Sequence, residues 1–144
     1  MATRLSNASA IAACNAVVDQ LDGAAGTLEI RSGAAPTNVE DADSGTLLAE
    51  FTLPAPAFGA AADGNPDAVA TANAISGVTG EAGAGGGTAA GHFRVKNNGG
   101  TPLWQGSVGG VGSGENMELS NVSIASGQPV SISSWTYRHP EVGT

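Results

Sequence analysis

Three carboxylates crowd the segment Glu40-Asp41-Ala42-Asp43-Ser44-Gly45, just ahead of a turn glycine. Calcium prefers several such oxygens, and Asp41 and Asp43 match the first two ligand positions of a calcium loop. The pattern then breaks, because Gly45 stands at the fifth position and Thr52 at the twelfth, where a bidentate acid is needed. The segment therefore reads as a solvated acidic turn and not as a metal site. Residues Gly83 to Gly91 look superficially like a phosphate-binding loop, yet no Lys and hydroxyl follow the glycines and no strand-loop-helix frame surrounds them.

Nucleophilic catalysis needs a nucleophile beside a base and an orienting acid. Histidine is limited to His92 and His139, and the closest approach to a serine elbow, Gly112-Ser113-Gly114, lacks the required spacing. His92 opens a strand pattern and reads as an edge residue making a hydrogen bond. Cleavage of glycosides needs two carboxylates in an aromatic-lined cleft, and aromatics are only 4% of the chain. Trp104 and Trp135 sit in strand patterns, where they read as core. Cys14 is the one cysteine and falls on the apolar face of a helix, as a small buried hydrophobe. Asn7-Ala8-Ser9 and Asn121-Val122-Ser123 have the form of glycosylation acceptors but read as chance matches. The expectation is a protein that is not an enzyme and has no catalytic residue, cofactor, metal or small-molecule substrate.

The elements that carry these residues begin with a helix. Leu5, Ala8, Ile11, Cys14, Val18 and Leu21 recur at spacings of three and four, which predicts a helix over 5–22, capped by Ser6 or Asn7 and stopped at Gly23. Beyond it, period-two alternation predicts strands at 27–31, 46–53 and 69–75. Residues 76–91 have little side-chain bulk and are expected to form a flexible loop. His92–Lys96, the turn Asn97-Asn98-Gly99-Gly100 and Thr101–Val108 predict a hairpin, since Asn and Gly tolerate positive φ. A short strand is predicted at 116–119, with 121–125 a candidate continuation, and a last one at 130–137. In that last strand a bulge near Ser133 or Ser134 is needed to turn both Trp135 and Tyr137 inward.

Seven short strands separated by Gly and Pro turns predict a mainly β fold, an antiparallel β-sandwich of jelly-roll-like type with one N-terminal amphipathic α-helix. The whole chain, 1–144, is expected to be a single domain: helix 5–22, sandwich 27–137 and a C-terminal tail 138–144. Composition agrees with an ordered domain, with 41% apolar and 12% charged residues. Ala is concentrated early, since only Ala125 of 26 follows residue 90. The net charge is −8, and Arg4, Arg31, Arg94, Lys96 and Arg138 lie singly along the sequence. Without clustered cations, binding to nucleic acid or to an anionic membrane is not expected. No signal peptide or long apolar run is seen, so synthesis in a reducing cytoplasm is expected.

The succession of motifs carries a resemblance. After the short helix come Gly26-Thr-Leu-Glu-Ile-Arg-Ser-Gly-Ala-Ala-Pro36, Ser44-Gly-Thr-Leu-Leu-Ala-Glu-Phe-Thr-Leu53 and Pro56-Ala-Phe-Gly59. Gly91-His-Phe-Arg-Val95, Trp104-Gln-Gly-Ser-Val108, Met117-Glu-Leu-Ser-Asn-Val-Ser-Ile124 and Gly127-Gln-Pro-Val-Ser-Ile132 follow. From about residue 4 to about residue 137 the chain resembles small structural proteins encoded among the virion genes of tailed bacteriophages and prophages. The resemblance implies a virion component. Its expected place is the capsid surface, as a head decoration or cement protein bound to the major capsid protein and to copies of itself in a homotrimer. A tail or neck component is the alternative, and a carbohydrate-binding module on the virion surface is a second one. Intersubunit contacts are expected from the helix and the C-terminal tail, at Leu5, Ile11, Val18, Tyr137 and Arg138.

Overall fold

Ser6 starts the helix. Its side-chain oxygen accepts a hydrogen bond from the Ser9 amide at 3.2 Å, satisfying one of the first-turn donors, an arrangement worth about 1 kcal/mol. Helix α1 (Asn7–Val18) then runs into a 3-10 turn, Asp19–Leu21, so the chain leaves the helix through right-handed backbone and not through a left-handed Gly23. The buried stripe is Ala10, Cys14, Val18 and Leu21. It is rotated from the expected one: Leu5 precedes the helix and Ala8 is exposed. The structure, a computed structural model, describes residues 2–142. Thr144 and Gly143, assigned from sequence to the tail, lie outside the described residues.

Among the described residues there are twelve strands. Strands β1 (Thr27–Ser32), β2 (Leu47–Thr52), β3 (Ala62–Asp63), β4 (Ala68–Thr71), β5 (Val78–Thr79) and β6 (Thr88–Lys96) come first. They are followed by β7 (Pro102–Ser107), β8 (Gly109–Gly110), β9 (Met117–Leu119), β10 (Ser123–Ile124), β11 (Pro129–Val130) and β12 (Ile132–His139). One sheet is ordered β2-β1-β6, with β7 and β10 both pairing with β6, and the other β3-β4-β12-β9-β8. β5 and β11 form a separate pair. All pairings are antiparallel except the short β8–β9 contact. This is a mainly β, antiparallel sandwich with one N-terminal helix.

Between the two sheets lies an aromatic cluster. Phe93 of β6 and Trp104 of β7 meet Trp135 of β12 at ring separations of 5.8 and 6.0 Å, and Phe58 approaches Trp135 edge-on at 4.6 Å. The register shift between Ile132 and Ser134 is the expected bulge, and it brings Trp135 into the core at 2% exposure. Tyr137 follows it, half-buried, 5.4 Å from Trp104. Helix α1 docks against β4 and β12, where Ala68 and Ala70 leave room for its backbone to come close. The Asn15 side chain accepts a bond from the Ala61 amide at 2.8 Å, and Asn7 donates to Asp63 at 2.7 Å, which tie α1 to the β3–β4 hairpin.

Three sequence expectations change. The predicted seven strands are twelve, five of them only two residues long. Residues 76–91 are not a flexible loop: they contain β5, a 3-10 turn at Ala82–Ala84 and the first residues of β6. Their glycines are needed for close approach, because a Cβ on Gly91 would lie 2.0 Å from the Gly33 carbonyl oxygen and one on Gly80 2.0 Å from that of Ala125. Finally, Arg138 and His139 belong to β12, paired with Val69 and Ala68, and not to a free tail. The chain ends are tied together as well, by a bond of 2.7 Å from the Leu5 amide to the Glu141 carbonyl and a bridge between Arg4 and Val142.

Candidate functional site

Strand register assembles a cluster of charges that are far apart in sequence. In the β1–β6 pair, Glu29 stands opposite Arg94, Arg31 opposite His92 and Thr27 opposite Lys96. Alternation then places Glu29, Arg31, Arg94 and Lys96 on one face of the sheet and Leu28, Ile30, Phe93 and Val95 on the core face. The connection between β1 and β2, residues 33–46, crosses the charged face and brings Asp43 into its centre.

Asp43 contacts all three cations. One carboxylate oxygen accepts from the Arg94 guanidinium, and the other from Arg31 at 3.0 Å and Lys96 at 2.7 Å. Glu29 accepts from Arg31 Nε at 2.7 Å and from Lys96 Nζ at 2.8 Å. Arg94 is fully buried and also donates to the carbonyls of Val39 and, at 3.1 Å, Asp41. Three further carbonyls of the connection are held: Gly45 by Arg31 at 3.3 Å, Pro36 by the Gln105 amide at 2.6 Å, and Gly33 by His92 Nδ1 at 2.9 Å. A carbonyl only accepts, so His92 carries its proton on Nδ1.

The two opposing influences on these groups resolve in favour of charge. Burial on its own raises the Asp43 carboxyl, but the hydrogen bond from Lys96 and the charges of Arg31, Lys96 and Arg94 hold it below the ordinary value. For Lys96, burial works downward, and the hydrogen bonds and charges of Asp43 and Glu29 raise it above the usual lysine range. Every oxygen of both carboxylates accepts from a cation, so the arrangement acts as a clamp that holds charge in place. Residues 40–45 are thus neither a calcium loop nor a freely solvated turn: Asp43 faces cations, and Asp41 accepts from the Asn38 amide at 3.0 Å.

A second anchored turn follows β8, at residues 111–114. The Glu118 carboxylate accepts from the amides of Gly112 at 3.1 Å and Gly114 at 2.9 Å, and these bonds lower its pKa from the ordinary value. The turn they fix presents Val111 to solvent at 71% exposure. Three shallow cavities, of about 340, 560 and 140 Å³, flank residues 72–79. Their walls are Ala, Ser, Thr, Pro, Asn, Gly, Val, Ile and the edge of Trp135, with no titratable side chain.

Known protein families, curated proteins and solved structures contain no match to this chain.

The residues singled out for contact with neighbours fall in different settings. Leu5 is 36% exposed, Ile11 is half-buried against the core, and Arg138 is exposed on β12. Val18 is buried within the chain's own core, and half-buried Tyr137 packs in the aromatic cluster, where burial pushes its phenol pKa up. Val18 and Tyr137 are thus engaged inside the chain, whereas Leu5 and Arg138 are exposed. Cys14 is buried, its thiol raised by burial and directed at the Tyr137 carbonyl at 3.8 Å. His139 lies beside the Tyr137 hydroxyl at 3.4 Å. The charge cluster was missed from sequence because Arg31, Arg94 and Lys96 look isolated until register is known. The alternation of Glu29 with Arg31, and of Arg94 with Lys96, was the available signal.

Proposed function

We propose that the protein is a structural component of a tailed-phage virion, a decoration or cement protein that binds the outer capsid lattice as a homotrimer and stabilises the head. The observation that carries this reading is the free edge of the first sheet. β7 pairs with β6 alone, and its six residues, Pro102-Leu-Trp-Gln-Gly-Ser107, include no charge. Natural sheets normally block such an edge with charge, Pro, a bulge or a covering segment; β7 carries Pro102 and a register shift at its first residues, and the uncharged remainder, Trp104 to Ser107, is suited to backbone pairing with a neighbouring chain. The acidic surface favours a partner whose facing surface is basic. The resemblance read from the succession of strand motifs in the sequence points to the same class of function.

Purified particles test it. Gel densitometry should give a copy number approaching that of the major capsid protein, and Ser107→Lys, which puts a charge on the open edge, should reduce incorporation without unfolding the subunit. A copy number far below that of the capsid protein, with density on the tail axis or at the neck, would replace this reading by the tail or neck alternative. Glycan recognition is less well served, since Trp135 is buried and Trp104 packs on it, leaving no paired stacking platform.

A further inference from the structure

The connection 33–46 contains no buried residue along its length. Its half-buried apolar residues, Ala35, Pro36 and Val39, are not part of the core, and its attachment is a set of polar contacts in which Asp43 is the charged centre. We propose that residues 33–46 form an electrostatic strap, which opens as a unit when the Asp43 charge is removed or outcompeted while both sheets stay folded.

The argument rests on which contacts hold what. The sheets are sustained by the β1–β6 ladder and by the aromatic cluster on the opposite face, neither of which includes a strap residue. The strap is sustained by Asp43 on Arg31, Arg94 and Lys96, and by its own carbonyls on His92, Arg94, Gln105 and Arg31. Charge-assisted bonds are the strong members of that set, and one carboxylate accepts three of them. The groups around Asp43 are Glu29 and Arg31 from β1, His92, Arg94 and Lys96 from β6, and Gln105 from β7. Glu50 of β2 stands beside Glu29, and the strap itself adds Glu40 and Asp41. With Asp43 in place, the three cations face Asp43, Glu29 and Glu50. With the strap lifted they face Glu29 and its cross-strand neighbour Glu50, so opening uncovers a patch of net positive charge on an otherwise acidic molecule.

Hydrogen exchange on the intact chain tests the strap as a separate unit. The reporters for the strap are the amides of Thr46 and Ser32, whose bonds join it to β1: Thr46 donates to the Ser32 hydroxyl oxygen at 2.9 Å and Ser32 to the Thr46 carbonyl at 3.0 Å. Leu28, Phe93 and Val95 report on the sheet. In Asp43→Asn at neutral pH the strap amides should exchange roughly 10- to 100-fold faster, the factor that loss of a charged hydrogen bond corresponds to, with sheet amides unchanged. Asp43→Glu should recover part of the protection. Unchanged strap exchange in Asp43→Asn overturns the proposal, as does acceleration of strap and sheet together. Should Asp43→Asn fail to fold, the wild-type chain decides in a sodium chloride series. Loss of strap protection ahead of the sheet supports a separate strap, and simultaneous loss or none refutes it.

Discussion

At Gly91 a single hydrogen stands where any other residue has a Cβ carbon. A Cβ there would meet the Gly33 carbonyl oxygen at 2.0 Å and its carbonyl carbon at 2.7 Å, backbone atoms that can yield only by displacing the start of the strap. Gly91→Ala should therefore destabilise the protein by about 1–3 kcal/mol or more, the scale of forced overpacking. Gly86→Ala is the control, since that position has open space and ordinary φ, and its denaturant midpoint should stay within about 0.5 kcal/mol of wild type or rise slightly. Equal midpoints for the two variants would refute close approach as the reason for Gly91. Arg94 calls for a finer comparison. Removing one partner of a buried pair commonly costs about 3–5 kcal/mol because a charge is stranded. Asp43 keeps Arg31 and Lys96, however, so Arg94→Met should leave mainly the Val39 and Asp41 carbonyls short of a donor and cost about 1–3 kcal/mol. Urea unfolding measures this, and a loss above that range would mean that Arg31 and Lys96 cannot hold Asp43 without it.

Elements with local signals were legible in the sequence, and those dependent on distant partners were not. The β6–β7 hairpin was readable because Asn97 closes its own turn, accepting from the Gly100 amide through its carbonyl and from the Thr101 amide through its side chain, each at 3.0 Å. The bulge at Ser133 followed from the mismatch between Val130, Ile132 and the two aromatics. By contrast, the bulk-poor stretch 76–91 gave no local sign that Gly80 and Gly91 press against Ala125 and Gly33, residues 45 and 58 positions away. The strap was opaque for the same reason, since its acids acquire partners only through β1–β6 register. It yields an acid-stability prediction. Asp43 has a folded pKa below its unfolded one, so its contribution is fully present above the ordinary carboxylate range and is lost as pH falls through the depressed value. Thermal unfolding of wild type should drop over that acidic window. Asp43→Asn should be less stable at neutral pH and converge with wild type in acid, and parallel curves across the window would show that Asp43 contributes no such linkage.

At the scale of the molecule, the small side chains set how much stability one subunit can hold alone. Six of the buried core residues are Ala, at 10, 49, 57, 68, 70 and 84, and only Phe51, Phe58, Phe93 and Trp135 bring buried aromatic bulk. Such residues let α1 and the strands approach closely, but each removes little apolar surface from water, at about 25 cal/mol per Å². The sandwich also carries a β7 edge that no other strand of the chain pairs with among the described residues. A subunit built this way should be modestly stable when isolated and gain on association, because a partner that binds only the folded form stabilises it by about 2.7 kcal/mol at a hundred times the dissociation constant. For a domain of this size that corresponds to a rise in melting temperature of about 5–10 °C. Calorimetry of the purified subunit against intact particles measures the difference, and an isolated monomer that melts as high as the assembled form would contradict a role realised through contacts with neighbours.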